Sequence, residues 1–115
     1  MKEFLLIFRG GYTPKEQQSP EGAAKDMENW KNWMGTLAQQ GKLTGGQPLT
    51  GDGKMMTAKG SKITDGPFAE GKEVVNGYLL VKAADYNEAT TLAKGCPIFT
   101  HDGTIEVREI RLMDM

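Results

Sequence analysis

The order of the predicted elements constrains this fold more than any other feature, because a strand–helix–strand pattern occurs twice. The central stretch Asp65–Glu73 separates the two halves, which show no evident sequence identity to each other. Apolar periodicity and local start and stop signals predict strands at about 3–9, 74–82 and 104–112 and helices at about 20–40 and 86–95. A chain of 115 residues with this content is one domain, residues 1–115.

Both predicted helices carry recognisable ends. The first begins with Ser19 as its N-cap and ends at Gly41, and the second begins with the capping box Asp85–Glu88 and ends at Gly95. At helical spacing, the predicted core face of the first helix comprises Met27, Trp30, Met34, Leu37 and Ala38, with Trp33 beside it. This stripe is interpreted as core packing, against the alternative of a surface that stacks on a ligand.

Side-chain alternation assigns two faces to each long strand. In the first strand, one row is Phe4, Leu6 and Phe8 and the other is Leu5 and Ile7. In the later strands, one row is Val75, Leu79, Val81, Ile105 and Val107 and the other is Asn76, Tyr78, Leu80, Glu106 and Arg108. Ile110 and Leu112 fall out of phase, which predicts a bulge or a change of face near Glu109.

Residues 41–54 are rich in glycine and raise the possibility of a phosphate-binding loop. The spacing fails, because Pro48 stands where the Walker A pattern has glycine and Met55 follows Lys54 where the pattern has Ser or Thr. We therefore predict a solvated connection. Residues 54–64 are predicted to form a short irregular strand or a hairpin with Gly60 in its turn.

Composition excludes several classes of function. The net charge of −1, from 14 basic and 15 acidic residues, gives no basic face for nucleic acid. No apolar run approaches the ~20 residues of a membrane span, and the N-terminus has no signal-peptide pattern. The single cysteine, Cys96, forbids an internal disulfide and favours a reducing compartment, so a cytoplasmic location is expected.

The central stretch is a turn followed by charged residues. Asp65, Gly66 and Pro67 break regular structure, because proline fixes its own φ and restricts the residue before it. Phe68 is the large apolar side chain that would anchor the loop to the body. The charged cluster that follows contains Glu70, Lys72 and Glu73.

This stretch closely resembles the DGPFAETKE motif of the DGPF-motif branch of the YCII-related family. The similarity covers most of the chain; its other segments are Lys2–Ile7, Gly41–Leu49, Asn76–Tyr78, Cys96–Pro97 and Ile105–Arg108. Gly71 replaces the usual Thr and Glu109 replaces the usual Pro, so no role can depend on that Thr hydroxyl. The resemblance implies a ferredoxin-like α+β fold, a dimeric α/β barrel with two helices on one face of an antiparallel four-stranded sheet. It implies no established reaction.

Few residues offer catalytic chemistry. His101 beside Asp102 could act as a general base, although a lone histidine in such a loop is more often simply solvated. Cys96 follows a helix C-terminus, whose negative dipole end disfavours a thiolate. One histidine and one cysteine provide few metal ligands, so neither a metal nor a cofactor is expected.

The predicted ligand-binding site lies where the central loop meets the helix-free face of the sheet. Its candidate residues are Asp65, Glu70, Lys72, Tyr78, Glu106 and Arg108. A guanidinium in a partly closed cavity needs an anion, and Glu106 is the nearest carboxylate on the same face as Arg108. The alternatives are a structural ion pair at a subunit interface and a pocket for a small anionic molecule.

A homodimer is expected, because two helices cover only one face of a four-stranded sheet and leave an apolar row exposed. Three functions remain open at this point. The first is a small-molecule-binding or regulatory domain, and the second is a cofactor-free enzyme, an isomerase or oxygenase acting in the sheet cavity. The third is a protein-interaction partner in sigma-factor-linked transcription control, which the family resemblance suggests.

Overall fold

The computed structural model describes residues 1–11, 19–66 and 74–113. The helices are α1 (Pro20–Gln39) and α2 (Tyr86–Ala93), followed by a 3-10 helix (Pro97–His101). The strands are β1 (Lys2–Arg9), β2 (Leu43–Pro48), β3 (Lys54–Thr57), β4 (Lys62–Asp65), β5 (Val75–Ala83) and β6 (Thr104–Glu109). Both predicted helices and all three predicted long strands are confirmed.

Four strands form one antiparallel sheet in the order β2-β5-β1-β6, with β1 and β5 in the centre. This order and the two helices define a ferredoxin-like α+β fold, as the family resemblance implied. The hairpin of β3 and β4 is inserted between the two halves as a separate two-stranded sheet. The predicted hairpin at 54–64 is confirmed, with Gly60 in its turn.

The solvated connection predicted at 41–54 is wrong for residues 43–48, which form β2. Leu43 lies opposite Val81, and Gly46 lies opposite Leu79. A side chain at Gly46 would meet Leu79 Cδ2 at 2.4 Å and the Tyr78 carbonyl at 2.5 Å, and its φ is +152°. Glycine therefore allows β2 to lie close against β5. The low strand propensity of this glycine-rich segment explains why the strand was not predicted from the sequence.

The core lies between the helices and one face of the sheet. Phe4, Leu6 and Phe8 of β1 are buried there, together with Leu79 and Val81 of β5. From α1, the buried residues are Trp33 and Leu37, and Trp30 and Met34 pack against them. The predicted core face is thus rotated: Met27 is 61% exposed, Ala38 is exposed, and Trp33 is central rather than flanking.

A bulge in β5 changes the predicted faces at the start of that strand. Phe8 pairs with Gly77 and Arg9 pairs with Val75, so Asn76 is the extra residue. Val75 therefore lies on the helix-free face, not beside Leu79 as alternation predicted. The Asn76 side chain instead donates to the Gly10 carbonyl at 2.5 Å.

Local capping follows the sequence signals. Ser19 accepts from the Gly22 N–H at 2.9 Å, and Asp85 accepts from the Glu88 N–H at 2.9 Å. Glu88 in turn accepts from the Ala84 N–H at 3.0 Å, and this bond, followed by Lys42, lowers its pKa.

The last strand is shorter than predicted and ends at Glu109 rather than near residue 112. The pairing register places Lys2, the first residue of β1, opposite Arg111, so Leu112 lies beyond the start of β1; among the described residues, the last hydrogen bond between the two segments runs from the Ile110 N–H to the Glu3 carbonyl at 2.9 Å. Leu112 is consequently 87% exposed. The predicted change near Glu109 is the end of the strand.

Candidate functional site

The helix-free face of the sheet combines half-buried apolar side chains with a charged cluster. We call this surface the open face; its residues are Leu5, Ile7, Arg9, Gln47, Val75, Tyr78, Leu80, Glu106 and Arg108. The pairing places Gln47, Tyr78, Ile7 and Glu106 in one row across all four strands. Leu80, Leu5 and Arg108 form the next row.

A concave site of about 380 Å³ lies on this face. It is a shallow depression, open to solvent and lined by Leu5, Ile7, Arg9, Val75 and Tyr78, and its surface is almost entirely apolar, with Arg9 and Tyr78 as the lining residues that carry polar groups. The bulge at Asn76 contributes to this shape, because it turns Val75 towards the open face beside Arg9. An apolar floor with a few polar groups is typical of small-molecule sites.

Glu106 links two arginines at one end of the open face. Arg9 donates from Nη1 to Glu106 Oε1 at 2.6 Å, and Arg108 donates from Nη1 to Oε2 at 3.1 Å. Strand pairing explains the first contact, because Glu106 lies opposite Ile7 and Thr104 opposite Arg9. The i, i+2 spacing explains the second, because both side chains project from the same face of β6.

These contacts fix the charge of the cluster. The hydrogen bond from Arg9, and then that from Arg108, lowers the pKa of Glu106, so the carboxylate is ionised at neutral pH. Two guanidinium groups and one carboxylate leave one positive charge in excess. The side chain of Arg9 is 34% exposed and that of Arg108 is 67% exposed. Of the two arginines, Arg9 is the one that lines the concave site.

The structure separates the predicted site residues. Tyr78 lines the concave site, and Glu106 and Arg108 lie on the open face beside it. Arg108 occupies an edge strand and is 67% exposed in the single chain, so the partly closed cavity expected around it stays a prediction that depends on the dimer. Glu70 and Lys72 lie outside the described residues.

Asp65 occupies a different environment from these residues. It ends β4 in the inserted hairpin, where its carboxylate forms an ion pair with Nζ of Lys54 across the strand pair. Its side chain is 84% exposed. The rest of the central stretch, residues 67–73, lies outside the described residues, and so does the predicted anchoring role of Phe68.

Arg9 is the site residue that the sequence interpretation missed. The strand predicted at about 3–9 reaches Arg9, which is the last residue of β1, but the side-chain rows assigned to that strand stopped at Phe8. The alternation of Leu5 and Ile7 continues to residue 9, and this was the signal that could have placed Arg9 on the open face.

The other catalytic candidates lie on the helical side of the molecule. His101 Nε2 is 2.9 Å from Asp26 Oδ1 of α1, so the partner of the histidine is not its sequence neighbour Asp102. Asp102 has a left-handed backbone, with φ of 62°, at the end of the 3-10 helix. Burial raises the pKa of the Cys96 thiol to about 12, which makes it a poor nucleophile.

The described residues contain no group of three or more His, Cys, Asp or Glu side chains placed to hold a metal ion. Within the same residues, no helix combines the length and the hydropathy needed to cross a membrane.

Comparisons with known proteins identify a family and distantly similar solved structures. A family model described as the YCII-related domain matches residues 11–114, without distinguishing the DGPF-motif branch, which stays a prediction. No curated protein sequence matches the chain. One similar solved structure is that of 5-chloro-2-hydroxyhydroquinone dehydrochlorinase (TftG) from Burkholderia phenoliruptrix AC1100, in complex with 2,5-dihydroxybenzoquinone. The match has a TM-score of 0.49 and a sequence identity of 14%, and it covers 95% of this chain and 93% of that chain. This likeness is too distant to transfer a reaction or a ligand.

Proposed function

The chain belongs to the YCII-related family, and on that premise we propose that it is a homodimeric domain that binds a small anionic molecule at the open face. The observation that carries the proposal is the concave apolar site with Arg9 at its edge. Arg9 belongs to a cluster with an excess positive charge, so an anionic group on the ligand is its natural complement.

The dimer would form by packing two open faces against each other. The half-buried apolar side chains of this face are Leu5, Ile7, Val75, Tyr78 and Leu80. Two packed sheets lie ~10 Å apart, which buries such side chains between them. The helices already cover the opposite face, so a second copy of the chain would complete the barrel that the sequence resemblance implies.

Dimerisation would also strengthen the anion site. Arg108 is mostly exposed in the single chain, and a facing sheet would remove water from its surroundings. An excess positive charge costs more free energy as it loses water, so the enclosed cluster would favour an anionic ligand more strongly than the exposed cluster does. The same reasoning predicts that Tyr78, beside Arg9 in the concave site, contacts the ligand.

Thermal shifts with matched probes test this function. Benzoate, salicylate and inorganic phosphate supply the anions, and neutral benzamide is the uncharged control for benzoate. A binding anion at ten times its Kd should raise Tm by about 5 °C. Benzamide should have no comparable effect.

Variants identify the site. Arg9→Met should keep the fold and lose the rise in Tm caused by the anion. Arg108→Met should reduce that rise. The control Arg111→Met changes an exposed arginine just after β6 and should keep the full rise. A shift that survives Arg9→Met and Arg108→Met would contradict the proposed site. If Arg108→Met instead abolishes the dimer, the ion pair has the structural role at a subunit interface.

The other functions predicted from the sequence receive less support from the described residues. Glu106 is too acidic and Cys96 too basic for proton transfer near neutral pH, so their pKa values do not favour a cofactor-free isomerase or oxygenase. A role in sigma-factor-linked transcription control stays a prediction. A cytoplasmic location, suggested by the free Cys96, belongs to the same proposal.

A further inference from the structure

A second concave surface lies on the helical side, remote in the fold from the open face. This groove is shallow and open to solvent, has a volume of about 650 Å³ and runs between α1 and the segment that joins α2 to the 3-10 helix. Asn29, Asn32 and Thr36 line it from α1, and Lys94 and Phe99 line it from the other wall, with Trp33 between them. None of these residues belongs to the anion site.

The floor of the groove is held in place. Trp33 donates its indole N–H to the Leu92 carbonyl at 3.0 Å, which ties α1 to α2. A side chain at Gly95 would meet Trp33 Cδ1 at 3.2 Å and Nε1 at 3.4 Å, so glycine lets the indole ring lie close against this turn. The floor of the groove is therefore a fixed part of the fold, and its shape depends on the packed ring of Trp33.

The polar side chains that α1 contributes to the groove can form hydrogen bonds with a peptide backbone. A carboxamide both donates and accepts hydrogen bonds, and a peptide unit offers one N–H and one C=O. A small carboxylate offers acceptors only, so it would use only the donor half of each asparagine. Asn29 and Thr36 are seven residues apart, about 10 Å along the helix at 1.5 Å per residue. This length matches about three residues of extended peptide.

The other wall indicates which side chains such a peptide carries. Among the described residues that line the groove, Lys94 is the one that carries a charge, so an acidic side chain is its complement. Phe99 is 49% exposed and offers an aromatic surface near Trp33 for an apolar side chain. We propose that this groove binds an extended peptide segment of a protein partner, in which an acidic residue lies within three positions of an apolar one.

Peptide selection tests the proposal directly, because a random library samples acidic and apolar residues in every arrangement. A phage-displayed random heptapeptide library is panned against the full chain, and the most enriched sequence is synthesised with blocked termini. We expect enrichment of sequences that pair Asp or Glu with an aromatic or aliphatic residue. In ¹H–¹⁵N spectra, the synthetic peptide should shift the Trp33 indole signal and the side-chain amides of Asn29 and Asn32.

Variants with matched controls locate the binding. Asn32→Ala and Lys94→Gln should each weaken the peptide by about tenfold, because each removes a polar contact with the peptide. Asn87→Ala on α2 and Lys31→Gln on α1 change exposed residues outside the groove lining and should leave the affinity within about twofold of the parent. Circular dichroism confirms that all four variants keep their helices.

Three results would overturn the proposal. The first is selection that enriches no consensus, and the second is a peptide whose affinity is unchanged by both Asn32→Ala and Lys94→Gln. The third is benzoate shifting the Trp33 indole signal while no peptide does, which would make the groove a small-molecule site. Loss of the benzoate response in Arg9→Met concerns the open face alone, so the two proposals fail independently.

Discussion

The guanidinium of Arg9 donates a hydrogen bond of 2.6 Å to Glu106, although 97 positions separate the two residues in the chain. The contact joins the end of β1 to the middle of β6, next to the concave site. The bond from Arg108, two residues from Glu106, is longer at 3.1 Å and lies on a more exposed side chain. The long-range partner is therefore the dominant one.

This ranking predicts the response of Glu106 to mutation. Arg9→Met removes the largest influence that lowers the pKa of Glu106, so that pKa should rise towards its ordinary value. Arg108→Met removes a smaller influence and should produce a smaller rise. Carboxyl-detected NMR titration of both variants measures the two values. An equal or larger rise in Arg108→Met would contradict the ranking.

The same pair predicts how stability depends on pH. The folded-state pKa of Glu106 is lowered, so its stabilising contribution is fully present above the unfolded-state value of about 4.3 and is lost as the pH falls through the folded-state pKa. Glu106→Gln should therefore be less stable than the parent at pH 7, and the difference should shrink towards pH 3. Urea unfolding at fixed protein concentration measures the free energy at each pH.

Glu28→Gln is the control for this experiment. Glu28 forms an exposed ion pair with Lys25 at 3.9 Å within α1, and such pairs contribute little. The unfolding free energy of Glu28→Gln should therefore follow that of the parent across the same pH range. If the difference in unfolding free energy between Glu106→Gln and the parent is constant from pH 7 to pH 3, the ion pairs of Glu106 with the two arginines do not stabilise the fold.

Short-range patterns were enough to predict most of the fold and part of the site. α1 occupies Pro20–Gln39 against a predicted 20–40, because its N-cap and its final glycine are local signals. Alternation placed Glu106 and Arg108 on the helix-free face, since β6 has no bulge before Glu109. Val75 was misplaced because a bulge depends on the partner strand, which the sequence does not name.

The parts that sequence did not reveal depend on contacts between distant segments. β2 contains two adjacent glycines and is a strand because β5 accepts it, not because of its own propensity. Arg9 acquires its role only when β6 lies beside β1. His101 pairs with Asp26, 75 residues away, rather than with the adjacent Asp102.

Two glycine substitutions test the account of β2. Gly46→Ala places a methyl group against Leu79 and the Tyr78 carbonyl at a strained φ, and should lower the unfolding free energy by about 2 kcal/mol or more. Gly35→Ala lies within α1, where its methyl group would meet no described atom within 4 Å, and should raise it by about 0.5–1 kcal/mol. Urea unfolding compares both with the parent, and a neutral Gly46→Ala would contradict the close approach of β2.

Cys96 offers a chemical test of the helical layer. Its thiol is buried and has a pKa raised to about 12, so iodoacetamide at pH 8 should modify the folded protein very slowly. The same reagent in 6 M guanidinium chloride should react quickly, because unfolding removes the burial. Mass spectrometry follows the adduct with time. Rapid modification of the folded protein would show that this region opens readily.

The mass of the protein in solution tests the central claim most directly, because the proposed site is completed by a second copy of the chain. Sedimentation equilibrium at micromolar concentration should give twice the chain mass of 12.6 kDa. Ile7→Glu, which places a charge in the middle of the open face, should shift the protein to the monomer without loss of helical circular dichroism. A parent protein that sediments at 12.6 kDa throughout this range would contradict the account.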